Sequence, residues 1–327
     1  MNEWKLNHNS IHYNDTASML KELKKYPEYT WLKEVDSTAL QQSLRDLQKA
    51  YDNFFTKKAG YPHFKSKHNH CLSYRSQCVN NNIRVVCDRI QLPKIGRVKI
   101  KLSREVVGKI SNVTVTRIAS GKYYVSLCVT YEADAFSNAG GQLGIDVGLK
   151  EFYSDSNGNT VANPRTLRKW SRKLAREQRK LSQKMPRSRR RDKQRIRVAR
   201  VHEHIANIRQ DFLHKLSTKL VRENKMIAIE DLKVKNMMKN HKLAKAIADV
   251  SWSEFFRMLE YKATLYGSEV IRIPTFYPSS QTCHECGYQN PITKDLSVRE
   301  WDCPKCGHHC DRDVNAAQNI LTVALSS

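Results

Sequence analysis

The sequence predicts a multidomain chain of mixed α+β and α/β class. It reads as a helical N-terminal segment (1–58), a small β-barrel (59–140) and an α/β core (141–327) with an inserted helical hairpin and a zinc ribbon at 279–310. Three observations predict this. Apolar spacing changes from a helical period to an alternating one near Ser73. Beyond Leu143, short apolar runs alternate with long helical stretches, as buried strands do when helices cross over them. Two C-x-x-C pairs lie near the C-terminus.

Residues 15–57 read as helical, because Leu40, Leu44, Leu47, Phe54 and Phe55 fall near helical spacing. Gly60-Tyr61-Pro62 ends that segment. The basic, aromatic stretch Pro62-His63-Phe64-Lys65-Ser66-Lys67 follows, and its Lys65 and Lys67 suit phosphate contact. Between 73 and 132, the runs 83–86, 98–102, 113–116 and 123–127 read as short strands punctuated by Gly96, Gly108 and Gly121. Their spacing predicts a small barrel or sheet of oligonucleotide-binding type, with 137–141 as the linker that leaves it.

In the core, Leu143-Gly144-Ile145-Asp146-Val147-Gly148 is an apolar strand with an aspartate inside it. Phe152-Tyr153-Ser154 is a second strand, followed by the turn Ser156-Asn157-Gly158-Asn159. The stretch 165–200 reads as two helices parted at Pro186-Arg187-Ser188. In the second of them Ile205, Ile208, Phe212, Leu216 and Leu220 form a stripe for core contact. Met226-Ile227-Ala228-Ile229-Glu230-Asp231 is a buried strand that ends in acid. A helix over 255–266, a strand over 270–273 and a closing helix over 313–324 complete the chain.

The chain has 327 residues, 40% hydrophobic and 27% charged, which suits a globular protein of two or three domains. No run approaches the roughly 18 apolar residues of a membrane span, and residues 1–10 lack the apolar core of an export signal. The expectation is a cytoplasmic, nucleoid-associated protein with no membrane partner. Its formal charge of +25 calls for a polyanion. Between Arg165 and Arg200 stand 17 Lys or Arg against two acids, Glu177 and Asp192, so the hairpin is the candidate nucleic-acid surface. Its candidate contacts are Arg168, Arg172, Arg176, Arg179, Arg189, Arg190, Arg191 and Arg195.

Three acids stand where solvated acids rarely do. Asp146 lies inside an apolar strand, Glu230 ends another, and Asp313 opens the last helix. Such carboxylates cost desolvation unless a cation compensates. Oxygen ligands suit Mg²⁺, and two such ions about 3.5–4 Å apart clamp the attacking and leaving oxygens of a phosphodiester. Spacing alone also permits a plainer reading, with Asp146 bridged to a lysine and Asp313 a helix cap. The order hairpin with Asp, strand ending in Glu, last helix opening with Asp is that of an RNase H-like core.

Cys283-His284-Glu285-Cys286 and Cys303-Pro304-Lys305-Cys306 form two pairs, each followed by a glycine, Gly287 or Gly307. Four thiolates around tetrahedral Zn²⁺ leave no open position, so Cys283, Cys286, Cys303 and Cys306 make a structural site. Cys310, His308 and His309 are the alternatives nearby. The scattered Cys71, Cys78, Cys87 and Cys128 read as small packing residues.

Six ordered segments resemble the TnpB (OrfB) family of insertion-sequence proteins, relatives of type V CRISPR effectors. They are Gly144-Ile145-Asp146-Val147-Gly148-Leu149-Lys150, Ile229-Glu230-Asp231-Leu232, Asn240-His241-Lys242-Leu243-Ala244, Pro278-Ser279-Ser280-Gln281-Thr282-Cys283, Ser297-Val298-Arg299-Glu300-Trp301 and Asp311-Arg312-Asp313-Val314-Asn315-Ala316-Ala317. Trp31-Leu32-Lys33-Glu34-Val35 and the Pro62–Lys67 stretch extend the likeness upstream. The resemblance implies a RuvC nuclease core with Asp146, Glu230 and Asp313 as magnesium ligands, Asp313 rather than Asp311 being the third acid. It also implies a guide RNA transcribed from the element's own end, and double-stranded DNA as the target, cut beside a short adjacent motif. Against that family the chain enters late, at Met1-Asn2-Glu3-Trp4, about thirty residues in, which would leave a barrel edge unpaired. Two other readings use the same residues: a binding protein that regulates without cutting, and a transposase that joins DNA strands.

Overall fold

In the computed structural model, residues 11–64, 66, 72–132, 139–295 and 297–326 are described. The chain divides into two units, 1–133 and 134–327.

The first unit opens with α1 (Tyr13–Leu23), a 3₁₀ turn (Pro27–Lys33) and α2 (Ser37–Phe55). The helical stretch expected over 15–57 is therefore two helices parted by a 3₁₀ turn. Pro27 starts the 3₁₀ turn, and Asp36 caps α2 by accepting the Thr38 N–H at 3.2 Å. Six strands follow: β1 (Leu72–Gln77), β2 (Arg84–Val86), β3 (Arg89–Leu92), β4 (Gly96–Lys99), β5 (Lys109–Arg117) and β6 (Tyr123–Thr130). They form two antiparallel three-stranded sheets, β1-β5-β6 and β2-β3-β4. Both sheets turn their alternate apolar residues onto one core of Ile83, Ile90, Leu92 and Val113, flanked by Val115, Val125 and Leu127. Strands β1 and β3 were not expected, since Arg89-Ile90-Gln91-Leu92 is too short a run to stand out.

The second unit contains β7 (Gly141–Val147), β8 (Glu151–Asp155), β9 (Thr160–Ala162), α3 (Thr166–Ser182), α4 (Arg189–Glu223) and β10 (Asn224–Glu230). It continues with α5 (Val234–Met237), α6 (His241–Val250), α7 (Trp252–Tyr266), β11 (Glu269–Ile273), β12 (Glu300–Asp302), β13 (His309–Asp311) and α8 (Arg312–Leu325). Helix α6 was not expected, and it begins where Asn240 Oδ1 accepts the Lys242 N–H at 3.1 Å.

The five-stranded sheet runs β11-β10-β7-β8-β9, with β10 parallel to both neighbours and the β7–β9 ladder antiparallel. Helices cover both faces, which is why the central stretches Leu143–Ile145 and Ile227–Ile229 are buried on both sides. Leu143, Ile145, Ile227 and Ile229 meet Leu213, Leu216 and Leu220 of α4 and Phe255 and Leu259 of α7. Ala228 faces the other way, toward Ile320 and Ala324 of α8. The stripe expected on α4 is split between two jobs. Ile205 packs with Leu174, Val198 and Val201 to hold α3 against α4, while Phe212, Leu216 and Leu220 serve the sheet.

Small residues set the closeness of α8. Gly144 and Ala228 are direct ladder partners on its face of the sheet. A Cβ at Gly144 would lie 2.1 Å from the Ala317 carbonyl oxygen, so only glycine lets the helix backbone rest on β7. Two residues beyond this pair, on the same face, stand Asp146 and Glu230.

Candidate active site

Asp146 sits near the end of β7 and Glu230 at the end of the parallel strand β10. Asp313 lies in the first turn of α8, the helix that covers this face. The three sequence-predicted acids therefore stand near one end of the sheet, close enough for Asp146 to feel the charges of the other two, though their carboxylate oxygens do not form a group as tight as the cysteines'. Burial pushes the Asp146 carboxyl well above its ordinary range, and the charges of Glu230 and then Asp313 push it further. Arg312 and Arg299 pull the other way without cancelling this. Asp146 makes no ion pair among the described residues, contrary to the plainer reading of it as a lysine's partner.

Glu230 is also raised by burial, opposed by a hydrogen bond in which Ser279 Oγ donates to its Oε1 at 2.6 Å. The cap of α8 is Asp311, whose Oδ1 accepts the N–H groups of Asp313 and Val314 at 3.0 and 2.9 Å. That leaves the Asp313 side chain free of capping. It accepts instead from Arg299, whose Nη1 lies 3.3 Å from both carboxylate oxygens.

Arg299 and Ser279 are the site residues that spacing did not reveal. Both lie on the segment between β11 and α8, whose visible signal is its cysteines. A buried arginine fixes that segment: Arg312 Nη1 donates to the carbonyls of Asp295 and Val298 at 3.0 and 3.4 Å.

The four predicted cysteines converge. The sulfurs of Cys283, Cys286, Cys303 and Cys306 all lie within 4.8 Å of one another, the one such group of potential metal ligands among the described residues. Cys283 and Cys306 are 3.7 Å apart, and Cys286 and Cys303 3.5 Å. Tetrahedral zinc–thiolate bonds of about 2.3 Å require sulfurs roughly 3.8 Å apart, so the set fits zinc. Each pair forms a knuckle: Gly287 N–H returns to the Cys283 carbonyl at 2.9 Å, and Gly307 N–H to that of Cys303 at 2.8 Å. Both glycines adopt φ of 72°, the left-handed conformation such a turn requires. Cys310 is buried beside Trp301 in the small core under the knuckles, and His309 Nδ1 pairs with Asp302 at 2.8 Å.

Along the hairpin of α3 and α4, Arg168, Arg172, Arg176, Arg179, Arg189 and Arg190 are exposed. The other two candidates are engaged in the hairpin itself. Arg191 Nη1 donates to the carbonyls of Leu181 and Lys184 at 3.0 Å, closing the turn, and half-buried Arg195 lies 3.8 Å from Asp192. Buried Glu177 accepts from Gln194 at 2.7 Å and so ties the two helices together. Lys65 and Lys67 lie outside the described residues. No helix is long and apolar enough to cross a membrane among the described residues.

A mixed α/β fold of this kind is shared with known proteins. The cryo-EM structure of a Cas12f1–sgRNA–target DNA complex has the same fold over 93% of this chain and 75% of that one, with a TM-score of 0.54 at 15% identity. Two family profiles match in sequence: OrfB_IS605, described as "Probable transposase", over residues 126–241, and the Cas12f1-like TNB domain over 252–320. A Streptomyces pristinaespiralis protein named as an RNA-guided DNA endonuclease is 40% identical over 97% of this chain and 79% of its own length. InsQ of Escherichia coli K12, similarly named, is 37% identical over 95% of this chain and 80% of its own. The chain belongs to the TnpB (IS605 OrfB) family.

Proposed function

We propose that this chain is an RNA-guided DNA endonuclease whose RuvC-type centre is Asp146, Glu230 and Asp313. One observation supports the reading: carboxylates from two strands and a helix far apart in the chain lie near enough for Glu230 and Asp313 to add to the burial cost of Asp146, and Arg312 and Arg299 do not cancel it. Enzymes tolerate such a cost where a cation belongs. An all-carboxylate donor set fits Mg²⁺, which Asp146, Glu230 and Asp313 would hold. When bound, that metal supplies charge neutralisation at the scissile phosphate and activation of the attacking water.

The protein's own contribution is to fix the donors and the substrate. Parallel strands hold Asp146 and Glu230, the Asp311 cap fixes the turn that carries Asp313, and Ser279 orients Glu230. Arg299, paired with Asp313, would be available to a phosphate oxygen at this centre. Thiolates of Cys283, Cys286, Cys303 and Cys306 would hold a structural zinc. The exposed arginines from Arg168 to Arg190 would neutralise backbone phosphates of the guide RNA or of its hybrid with target DNA. In this reading the two small sheets and the helices before them are separate barrel and recognition domains. The guide originates from the element's own end, and base pairing rather than the protein reads the sequence.

The test is to purify the protein from cells carrying its native flanking DNA, sequence the bound RNA, and supply matching double-stranded DNA with Mg²⁺. A discrete RNA tapering into flanking sequence, with cutting abolished by Asp146→Ala, is the expected result. Random RNA fragments and no cleavage would turn the reading toward a non-cutting binder. Joined rather than cut strands would turn it toward a transposase.

A further inference from the structure

Helix α8 carries two buried asparagines one turn apart, Asn315 at 2% exposure and Asn319 at 4%. Neither is bonded within its own helix. The Asn315 amide grips the first cysteine knuckle at two points: its Nδ2 donates to the Thr282 carbonyl at 2.7 Å, and its Oδ1 accepts the His284 N–H at 2.9 Å. Those two residues flank Cys283. Asn319 Nδ2 donates to the carbonyls of Ser279 and Thr282 at 2.8 and 2.6 Å. Ser279, itself 5% exposed, donates its hydroxyl to Glu230.

The contacts form one chain. The turn of α8 that presents Asp313 is followed directly by the two amides that hold residues 279–284. That segment begins at the hydroxyl on Glu230 and ends at the first zinc thiol. Buried amides are costly unless every group is bonded, so this arrangement has one low-energy register and resists sliding. A displacement of the knuckle would pull Ser279 off Glu230 or rotate the turn that carries Asp313.

We propose that Ser279, Asn315 and Asn319 are positioning residues of the carboxylate centre, and that they make its geometry depend on an ordered zinc knuckle. The inference rests on the functional reading for cutting but not for divalent-ion binding. Ser279 fixes one oxygen of Glu230, and with it the orientation of that carboxylate. Asn315 and Asn319 fix where Ser279 stands. Loss of an outer partner of this kind typically weakens metal binding or activity about 10–100-fold.

The experiment uses the full chain with Ser279→Ala, Ser279→Thr and Asn319→Ala. Zinc content, melting temperature and Mg²⁺ binding by calorimetry are measured on the protein without RNA, and the Mg²⁺ dependence of cutting on the RNA-loaded protein. Ser279→Ala is expected to keep wild-type zinc content and melting temperature while weakening Mg²⁺ binding about 10-fold. Ser279→Thr, which keeps the hydroxyl, should restore binding. Asn319→Ala should weaken binding at least as much, and removing zinc from the wild type should reproduce the effect.

Unchanged Mg²⁺ affinity in both alanine variants overturns the proposal. So does a Thr variant as impaired as the Ala variant, or a loss that appears only together with lost zinc and a lower melting temperature. A wild type that binds Mg²⁺ through Asp146 yet cuts no DNA would instead refute the functional reading, with the calorimetry still deciding the positioning role.

Discussion

The ribbon and the carboxylate centre gather their ligands in opposite ways. The four thiols come from two short knuckles, each closed by its own backbone hydrogen bonds and a left-handed glycine, and all their sulfurs lie within 4.8 Å. The three acids come from two strands and a helix far apart in the chain, and the fold must hold them together against their own repulsion. The first cluster is local structure whose two halves a cation could join. The second is assembled by the whole core, and in the proposed reading a cation would offset the cost of bringing its acids together. The two sites should therefore respond oppositely to loss of a ligand.

The largest effect is expected at the ribbon. Little apolar surface lies under the knuckles, so zinc rather than packing would hold them. Cys303→Ser should eliminate stoichiometric zinc and lower the melting temperature by more than about 10 °C. Metal analysis and calorimetry check this. A variant that loses zinc and melts as the wild type does would make the ribbon self-sufficient and end the contrast.

At the other site the sign reverses. Asp146→Asn removes the charge that burial, Glu230 and Asp313 all disfavour. Without divalent ions the variant should be more stable than wild type in urea denaturation. Mg²⁺ should then stabilise the wild type by mass action and leave the variant unmoved. Cutting should fall by at least about 10²–10³-fold. A variant less stable than wild type in metal-free buffer would mean that Asp146 is satisfied by the protein alone.

This contrast also explains what could be read in the sequence. The knuckles were legible because their ligands are three residues apart and their glycines adjoin them, so no tertiary information is needed. The acids were visible only as anomalies in apolar strands. Their meeting depends on Gly144 and Ala228 facing α8, and that follows from strand register and not from spacing. The ordered resemblance to TnpB supplied what spacing did not. Arg299 and Ser279 lay inside two of the resembling segments but were given no role, because a single arginine or serine on a loop looks like any other. The structural job of Arg191 was hidden for the converse reason: in a run of arginines, nothing distinguishes the one that closes the hairpin turn.

The closeness of α8 to β7 sets where Asp313 stands, and Gly144→Ala probes it. The added methyl would meet the Ala317 carbonyl oxygen at 2.1 Å, so helix and strand must part. Overpacking of this kind costs about 1–3 kcal/mol. Because α8 carries Asp313, Mg²⁺ affinity should fall with stability while zinc content stays whole. If affinity held while stability fell, the carboxylate centre would tolerate movement of its helix, and the picture of a rigidly assembled site would fail.

Lys262 is a control for the claim that buried charge costs stability when no counter-ion compensates. It is 6% exposed on α7, and its ammonium donates to the His214 carbonyl, Ser217 Oγ and Thr218 Oγ1 at 2.7–2.8 Å, with no carboxylate among them. Burial lowers its pKa from 10.5 to about 8. Between those values the unfolded chain binds more protons than the folded one, so this group's contribution to stability rises with pH across the window. Below about pH 8 the full cost of the buried charge is present, and above 10.5 it is gone. Lys262→Met removes the dependence. The wild type should therefore gain about 1–2 kcal/mol on the variant between pH 7.5 and 10, less than the full shift implies because water screens part of it. Urea denaturation of both proteins at the two pH values measures the gain. A constant difference would mean that the three hydrogen bonds satisfy the ammonium completely, and would weaken the same burial argument at Asp146.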